Sequence, residues 1–225
     1  MRTEHLPVAR FVSGEAFDAP ISKVVCVGRN YAAHARELGN AVPDQPIYFI
    51  KPASSVTWLE AGIDLPAGLG SVHHEAEIAV LIGETLSGAS EEEAVGAIAG
   101  LGVGLDLTLR DVQGDLKAKG HPWERAKGMD GLCPLGPFAS LAGREVDLGD
   151  LHIRFAINGQ IRQQGSSAQM LFPIATLLAD MSHLFTLYPG DVVLTGTPEG
   201  VGPLAAGDEL ELTLENWVTV RSSVR

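Results

Sequence analysis

Glu75 and Glu77 stand two residues apart at the head of the apolar run EAEIAVLIG, and that spacing narrows what this stretch can become. A strand turns successive side chains to opposite faces, so positions i and i+2 share one face. In a helix of 3.6 residues per turn the same pair would diverge by about 200°. A strand therefore aims both carboxylates at one place, and Ile78, Ala79, Val80, Leu81 and Ile82 behind them put that place in the interior. Two unpartnered ionised carboxylates are too costly to bury. Either one holds a proton or a cation sits between them.

The rest of the chain agrees with a β-rich fold. Its 225 residues are 45% hydrophobic, enough for a substantial core, and 26 glycines with 13 prolines favour many short strands over a helix bundle. The formal net charge of −12 repels phosphate backbones and anionic membrane surfaces, so neither nucleic acid nor membrane is an expected partner. A small anionic substrate would need cations placed locally. Cys26 and Cys133 lie in apolar settings and read as buried free thiols. The opening MRTEHLPVARFVSGE lacks the apolar core of a signal peptide, and no apolar stretch approaches the roughly 20 residues of a membrane span, so the chain reads as cytoplasmic. Residues 1–18 form a short leading segment and 19–225 a single domain.

Along the chain, strands are expected around Val8–Val12, at Lys23–Val27, in IYFIKP, in DVVL and in ELELTLE. RNYAAHAREL reads as a helix stopped by Gly39. Ser90 with Glu93 forms a capping box for a helix running through Ala99. LHIRFAINGQIRQ is a hairpin with Asn158-Gly159 suited to a type I′ turn, and Pro173 to Leu187 has apolar residues at helical spacing. GLGVGLDLTLRD alternates. Leu101, Val103, Leu105, Leu107 and Leu109 share one face; Gly102, Gly104, Asp106, Thr108 and Arg110 share the other.

Asp106 thus lies among small residues that leave room beside it, although an Asp106–Arg110 ion pair on a solvent-facing strand would explain the same pattern. With Glu75 and Glu77 it makes an all-oxygen set suited to Mg²⁺, Mn²⁺ or Ca²⁺. His73 and His74 are adjacent, point to opposite faces and read as ordinary hydrogen-bonding residues. His34 and Glu37 are neighbours on one helix face. A carboxylate beside an imidazole fixes its tautomer and raises its basicity, giving a general base, while an inconsequential exposed pair is the plainer reading. Lys127 falls in the turn-rich HPWERAKGMDG, after Lys117 and Lys119 on what reads as a solvated helix.

The ordered set VGRNYAAHAREL, IYFIKP, HHEAEIAVLIG, LDLTLRDVQ, GHPWERAKGMDG, NGQIRQ and DVVLTGTPEGVG, over roughly residues 22–203, resembles the fumarylacetoacetate hydrolase family, particularly its small acylpyruvate hydrolase branch. The resemblance implies an α+β, predominantly β fold, a mixed β-roll wrapped around a metal-bearing pocket, and a homodimer. It implies Glu75, Glu77 and Asp106 as ligands of Mg²⁺ or Mn²⁺, Lys127 as the pocket lysine, and Arg110, Gln113 and Thr197 as substrate contacts. It makes His34 and Glu37 a dyad on a lid segment. Met129 departs from the aromatic residue common after the KG or KS step, which leaves the far end of the substrate open.

The implied reaction is hydrolytic C–C cleavage of a 3-acylpyruvate such as fumarylpyruvate, a step of aromatic compound catabolism. His34, oriented by Glu37, would activate water, and Lys127 would stabilise the pyruvate enolate. Oxaloacetate decarboxylation and keto–enol or double-bond isomerisation of a 2-hydroxy-dienoate draw on the same electrophilic sink. The His34–Glu37 pair is the feature that favours hydrolysis over them.

Overall fold

In the computed structural model, which describes residues 6–225, the chain opens with a small hairpin, β1 (Val8–Arg10) and β2 (Ala16–Pro20), and then enters the main sheet. The first five residues of the leading segment lie outside the described residues. The main sheet collects β3 (Lys23–Gly28), β4 (Ile47–Pro52), β5 (Val56–Trp58), β7 (Ala76–Ile82), β8 (Ile98–Leu105), β10 (Cys133–Ser140) and β13 (Val192–Leu194) in the order β4-β3-β13-β7-β8-β10-β5. It is mixed: β13 runs parallel to β3 and β10 parallel to β5, and the remaining pairs are antiparallel. A three-stranded sheet joins β6 (Val72–His74), β9 (Thr108–Leu109) and β14 (Gly202–Pro203). A four-stranded sheet runs β12 (Gln160–Ser166), β11 (His152–Ile157), β15 (Glu209–Leu214) and β16 (Val218–Ser223). The fold is mostly β with a curled half-barrel sheet.

The main sheet is buried on both faces, which is why EAEIAVLI reads as an almost continuous apolar run. On β7, Ile78, Val80 and Ile82 enter a large core shared with α5 (Ile174–Leu184) and the four-stranded sheet. Ala79 and Leu81 point the other way, into a smaller core with Ala9, Ile21, Cys26 and Cys133 that the leading hairpin helps to cover. Both cysteines are free and buried, as their settings suggested. No helix among the described residues is long and apolar enough to cross a membrane.

Several expected elements appear as read. Asn158 (φ 52°) and Gly159 (φ 74°) make the left-handed pair that a type I′ turn requires. Gly39 has φ 64° just past α1 (Ala32–Glu37). Ser90 and Glu93 form the full capping box of α2 (Glu91–Gly96), but the helix stops at Gly96, because Ile98 is already paired to Ile82 as the start of β8.

The alternating segment after it differs more. β8 ends at Leu105, the chain crosses to the three-stranded sheet as β9, and Arg110 begins α3 (Arg110–Ala118). The glycine face of β8 is not open space. A Cβ on Gly102 would sit 2.8 Å from the Pro137 carbonyl oxygen and 2.9 Å from Phe138 Cδ1, so the missing side chains let β10 pack directly against the strand. Lys127, expected in a loop, ends a short helix, α4 (Glu124–Lys127), and is buried.

Candidate active site

The carboxylate pair sits where β6 hands over to β7. Glu75 occupies the break between the two strands and Glu77 is the second residue of β7, and both side chains are buried. Asp106 occupies the matching break after β8, and its backbone N–H donates to the Glu75 carbonyl at 2.9 Å. Two strand interruptions side by side thus bring the three carboxylates together, with one oxygen from each lying within 4.8 Å of the others.

Three cations are built into the same cluster. Lys127 Nζ donates to Glu75 Oε2 at 2.8 Å and to Asp106 Oδ2 at 2.5 Å. Arg110 does not pair with Asp106; its guanidinium reaches Glu75 Oε1 at 2.5 Å and donates to Gln113 Oε1 at 2.7 Å. The third is Lys51 on β4, a group that the sequence reading did not single out. It is fully buried, donates to the carbonyls of Leu107, Lys127 and Leu132, and stands 2.8 Å from Asp106 Oδ1. Its three protons go to those carbonyls, so Asp106 Oδ1 feels its charge yet has no hydrogen-bond donor.

These contacts sort the protonation states. Burial alone would raise the Glu75 carboxyl, but the Lys127 and Arg110 charges overcome it and hold the group well below the usual carboxylate range. Burial likewise opposes the Lys127 charge, and the Asp106 and Glu75 carboxylates outweigh it and raise its pKa. Glu77 lacks such help. Burial first, then Asp106 and Glu75, push it upward, with the Gly196 N–H at 2.6 Å as its main relief.

A divalent cation fits this donor set: three clustered buried carboxylate oxygens, one carboxyl held up by burial and its anionic neighbours, and one orphaned oxygen on Asp106. Oxygen-only ligation suits Mg²⁺ or Mn²⁺.

The site opens into a pocket. His34, Arg110, Gln113, Lys127 and Thr197 all line it, together with the three carboxylates. His34 is buried, and burial lowers its pKa below 6.5 despite nearby Glu75 and Glu37. Its Nδ1 stands 3.5 Å from Glu37 Oε2 and has no hydrogen-bond partner. Glu37 is instead fixed by the Gly200 N–H, at 3.0 and 3.2 Å to its two oxygens. Thr197 donates to the Ala76 carbonyl at 2.8 Å and accepts from Gln163 Nε2 at 2.7 Å. Gln163 also went unread in the sequence. Its Oε1 meets both His74 Nδ1 and the Ala76 N–H, tying β12 to the ligand-bearing break, and His74 plays the ordinary hydrogen-bonding part expected of it.

The family model described as fumarylacetoacetate (FAA) hydrolase C-terminal matches residues 23–225. Oxaloacetate tautomerase YcgM of Escherichia coli (strain K12) is 54% identical over 202 residues, covering 90% of this chain and 92% of that protein. The mitochondrial oxaloacetate tautomerase FAHD1 of Arabidopsis thaliana is 46% identical over 191 residues, 84% of each chain. Among solved structures, fumarylpyruvate hydrolase from Pseudomonas aeruginosa, in complex with Mn²⁺ and pyruvate, superposes with a TM-score of 0.89 at 34% identity, covering 98% of this chain and 96% of that one.

Proposed function

The chain belongs to the fumarylacetoacetate hydrolase family, and from that premise we propose that it is a divalent-metal-dependent keto–enol tautomerase of oxaloacetate. The observation that carries this reading is the 54% identity, over nine-tenths of the chain, to an oxaloacetate tautomerase. It moves the main expectation away from acylpyruvate hydrolysis and toward isomerisation of an oxo acid.

Tautomerisation moves one proton between C3 and the 2-oxygen. Going from enol to keto, the O–H bond breaks, the C2=O bond forms, and the C2=C3 electron pair takes a proton at C3. A base that accepts the first proton and returns it to carbon is sufficient. His34 is assigned that part: burial keeps it neutral near pH 7, and its unpartnered Nδ1 leaves capacity for a proton. Lys127, held cationic by Glu75 and Asp106, is assigned to stabilise negative charge developing on the 2-oxygen. Arg110 and Gln113, joined at 2.7 Å, are assigned to orient the carboxylate at the reacting end, and Thr197 lines the same pocket. Glu75, Glu77 and Asp106 would hold Mg²⁺ or Mn²⁺, which supplies Lewis-acid polarisation of the oxo acid when bound.

Hydrolysis of acylpyruvates is the second reading. It is favoured by Glu37 standing 3.5 Å from His34, which lines the pocket, and by the likeness to a fumarylpyruvate hydrolase. Three assays on Mg²⁺-supplemented protein separate the alternatives: decay of the enol-oxaloacetate absorbance, pyruvate release from oxaloacetate, and cleavage of fumarylpyruvate and acetylpyruvate. Enol conversion is expected to be the fastest. Faster cleavage of either acylpyruvate, or pyruvate release that keeps pace with enol loss, would overturn the assignment.

A further inference from the structure

The charges of the pocket do not end at the metal-binding cluster. Lys51, Lys127 and Arg110 are already engaged by that cluster: Lys51 pairs with Asp106, Arg110 with Glu75, and Lys127 with both. Two further cations line the same pocket, Arg29 and Lys117, and neither has an ion-pair partner among the described residues. On a chain of net charge −12, two unmatched cations in one pocket are an unusual use of scarce positive charge.

Each is also placed rather than left to wave in solvent. Arg29 follows β3 in the left-handed region, with φ 60°, and its Nε is sealed from water without a hydrogen-bond partner. The preceding residue is glycine for a packing reason: a Cβ on Gly28 would lie 3.3 Å from the Trp123 ring. Lys117, on α3, holds its Nζ 5.3 Å from the centre of that same ring. The Trp123 indole, also on the pocket wall, thus lies against Lys117 and against the Gly28 backbone that precedes Arg29. Burial, followed by the charges of Arg29 and Arg110, brings the Lys117 ammonium down to about 8, against the opposing pull of Glu75.

We infer that Arg29 and Lys117 bind the distal carboxylate of a dicarboxylic oxo acid whose reacting end lies at the carboxylate cluster. The inference rests on the oxo-acid reading above for that reacting end and adds the chain's selectivity for a dianion over a monoanion. Arg29 offers a planar fork that matches a carboxylate, and Lys117 a point charge beside it. The Trp123 ring faces the lysine ammonium as a cation–π partner. Met129, which departs from the aromatic residue of the family pattern, also lies near the question of the far end, but it is packed against the large core and supplies no charge.

The test uses two unreactive ligands that share a 2-hydroxy-acid head and differ in the distal carboxylate: L-malate and L-lactate. Binding to Mg²⁺-loaded protein is measured by titration calorimetry. Wild-type protein should favour malate over lactate by about tenfold or more, the scale of a charge-assisted hydrogen bond. Arg29→Met and Lys117→Met should each weaken malate by about tenfold while moving lactate less than twofold, and Arg29→Lys should restore part of the loss. Unchanged lactate affinity doubles as the check that each variant is folded. Equal weakening of both ligands would make Arg29 and Lys117 positioning residues and overturn the inference, as would equal binding of the two ligands by wild-type protein. If malate discrimination is found but oxaloacetate is not tautomerised, the dianion site stands and the tautomerase reading falls.

Discussion

Lys51 is the residue on which the cluster leans most heavily. It is fully buried, fills three carbonyls with its three protons and neutralises Asp106 from behind. Removing one partner of a buried pair leaves an uncompensated charge, so Lys51→Met should cost about 3–5 kcal/mol by urea denaturation, far more than a surface lysine would. His34 makes a second prediction at this scale. Its pKa is lowered by burial, and the neutral ring is the active form, so kcat/KM should fall on acidification with its limb below pH 6.5. In His34→Ala that limb should vanish with most of the rate. Legibility divides along the same lines. Glu75, Glu77 and Asp106 were readable, because an i, i+2 carboxylate pair ahead of an apolar run has few uses. Lys51 was not, because a lysine near the end of IYFIKP looks like a solvated strand terminus. Arg110 was readable as a pocket residue, but its partner Glu75 lies 35 positions away in sequence, beyond any local rule.

Among the elements, α1 and the loop after β13 act as one unit. Glu37 at the end of α1 takes the Gly200 N–H, while Gly196 in the same loop donates to Glu77. Gly200 has φ 96°, and a Cβ there would lie 2.0 Å from the Arg162 carbonyl oxygen, so no side chain fits without moving the loop. Gly200→Ala should therefore release Glu37 and lower kcat at least as much as Glu37→Gln does, with KM for Mg²⁺ less affected, as steady-state kinetics would read. The β8 glycines carry the opposite lesson. Their alternation was legible, but their purpose was not: room beside Asp106 is instead the space in which β10 lies. Gly102→Ala should cost about 1–3 kcal/mol through overpacking, a loss visible in thermal unfolding. Period-2 patterning reveals that one face is small; it does not reveal what lies on it.

Across the whole molecule, the two-sided burial of the main sheet places its interrupted strands, and with them the carboxylates, inside the protein rather than at an edge. The predominantly β architecture was legible from short apolar runs and abundant turn residues. The crossing of the chain from β8 into a separate three-stranded sheet was not, since GLGVGLDLTLRD alternates through the break without interruption. A cluster this rich in buried carboxylate should make stability depend on the cation. With Mg²⁺ at a hundred times its Kd, linkage adds about 2.7 kcal/mol. For a chain of this size that is a rise in Tm of roughly 5–10 °C, to be read by calorimetry with and without chelator. Asp106→Asn should remove most of that rise.

Movement of a proton at C3 with every C–C bond left intact is the event that separates tautomerisation from both hydrolysis and decarboxylation. The direct test follows the C3 protons of oxaloacetate by NMR in D₂O with Mg²⁺-loaded enzyme. Deuterium should enter C3 much faster than pyruvate appears, and His34→Ala should abolish that excess. Exchange no faster than in protein-free buffer, or exchange that merely tracks pyruvate formation, would contradict the account.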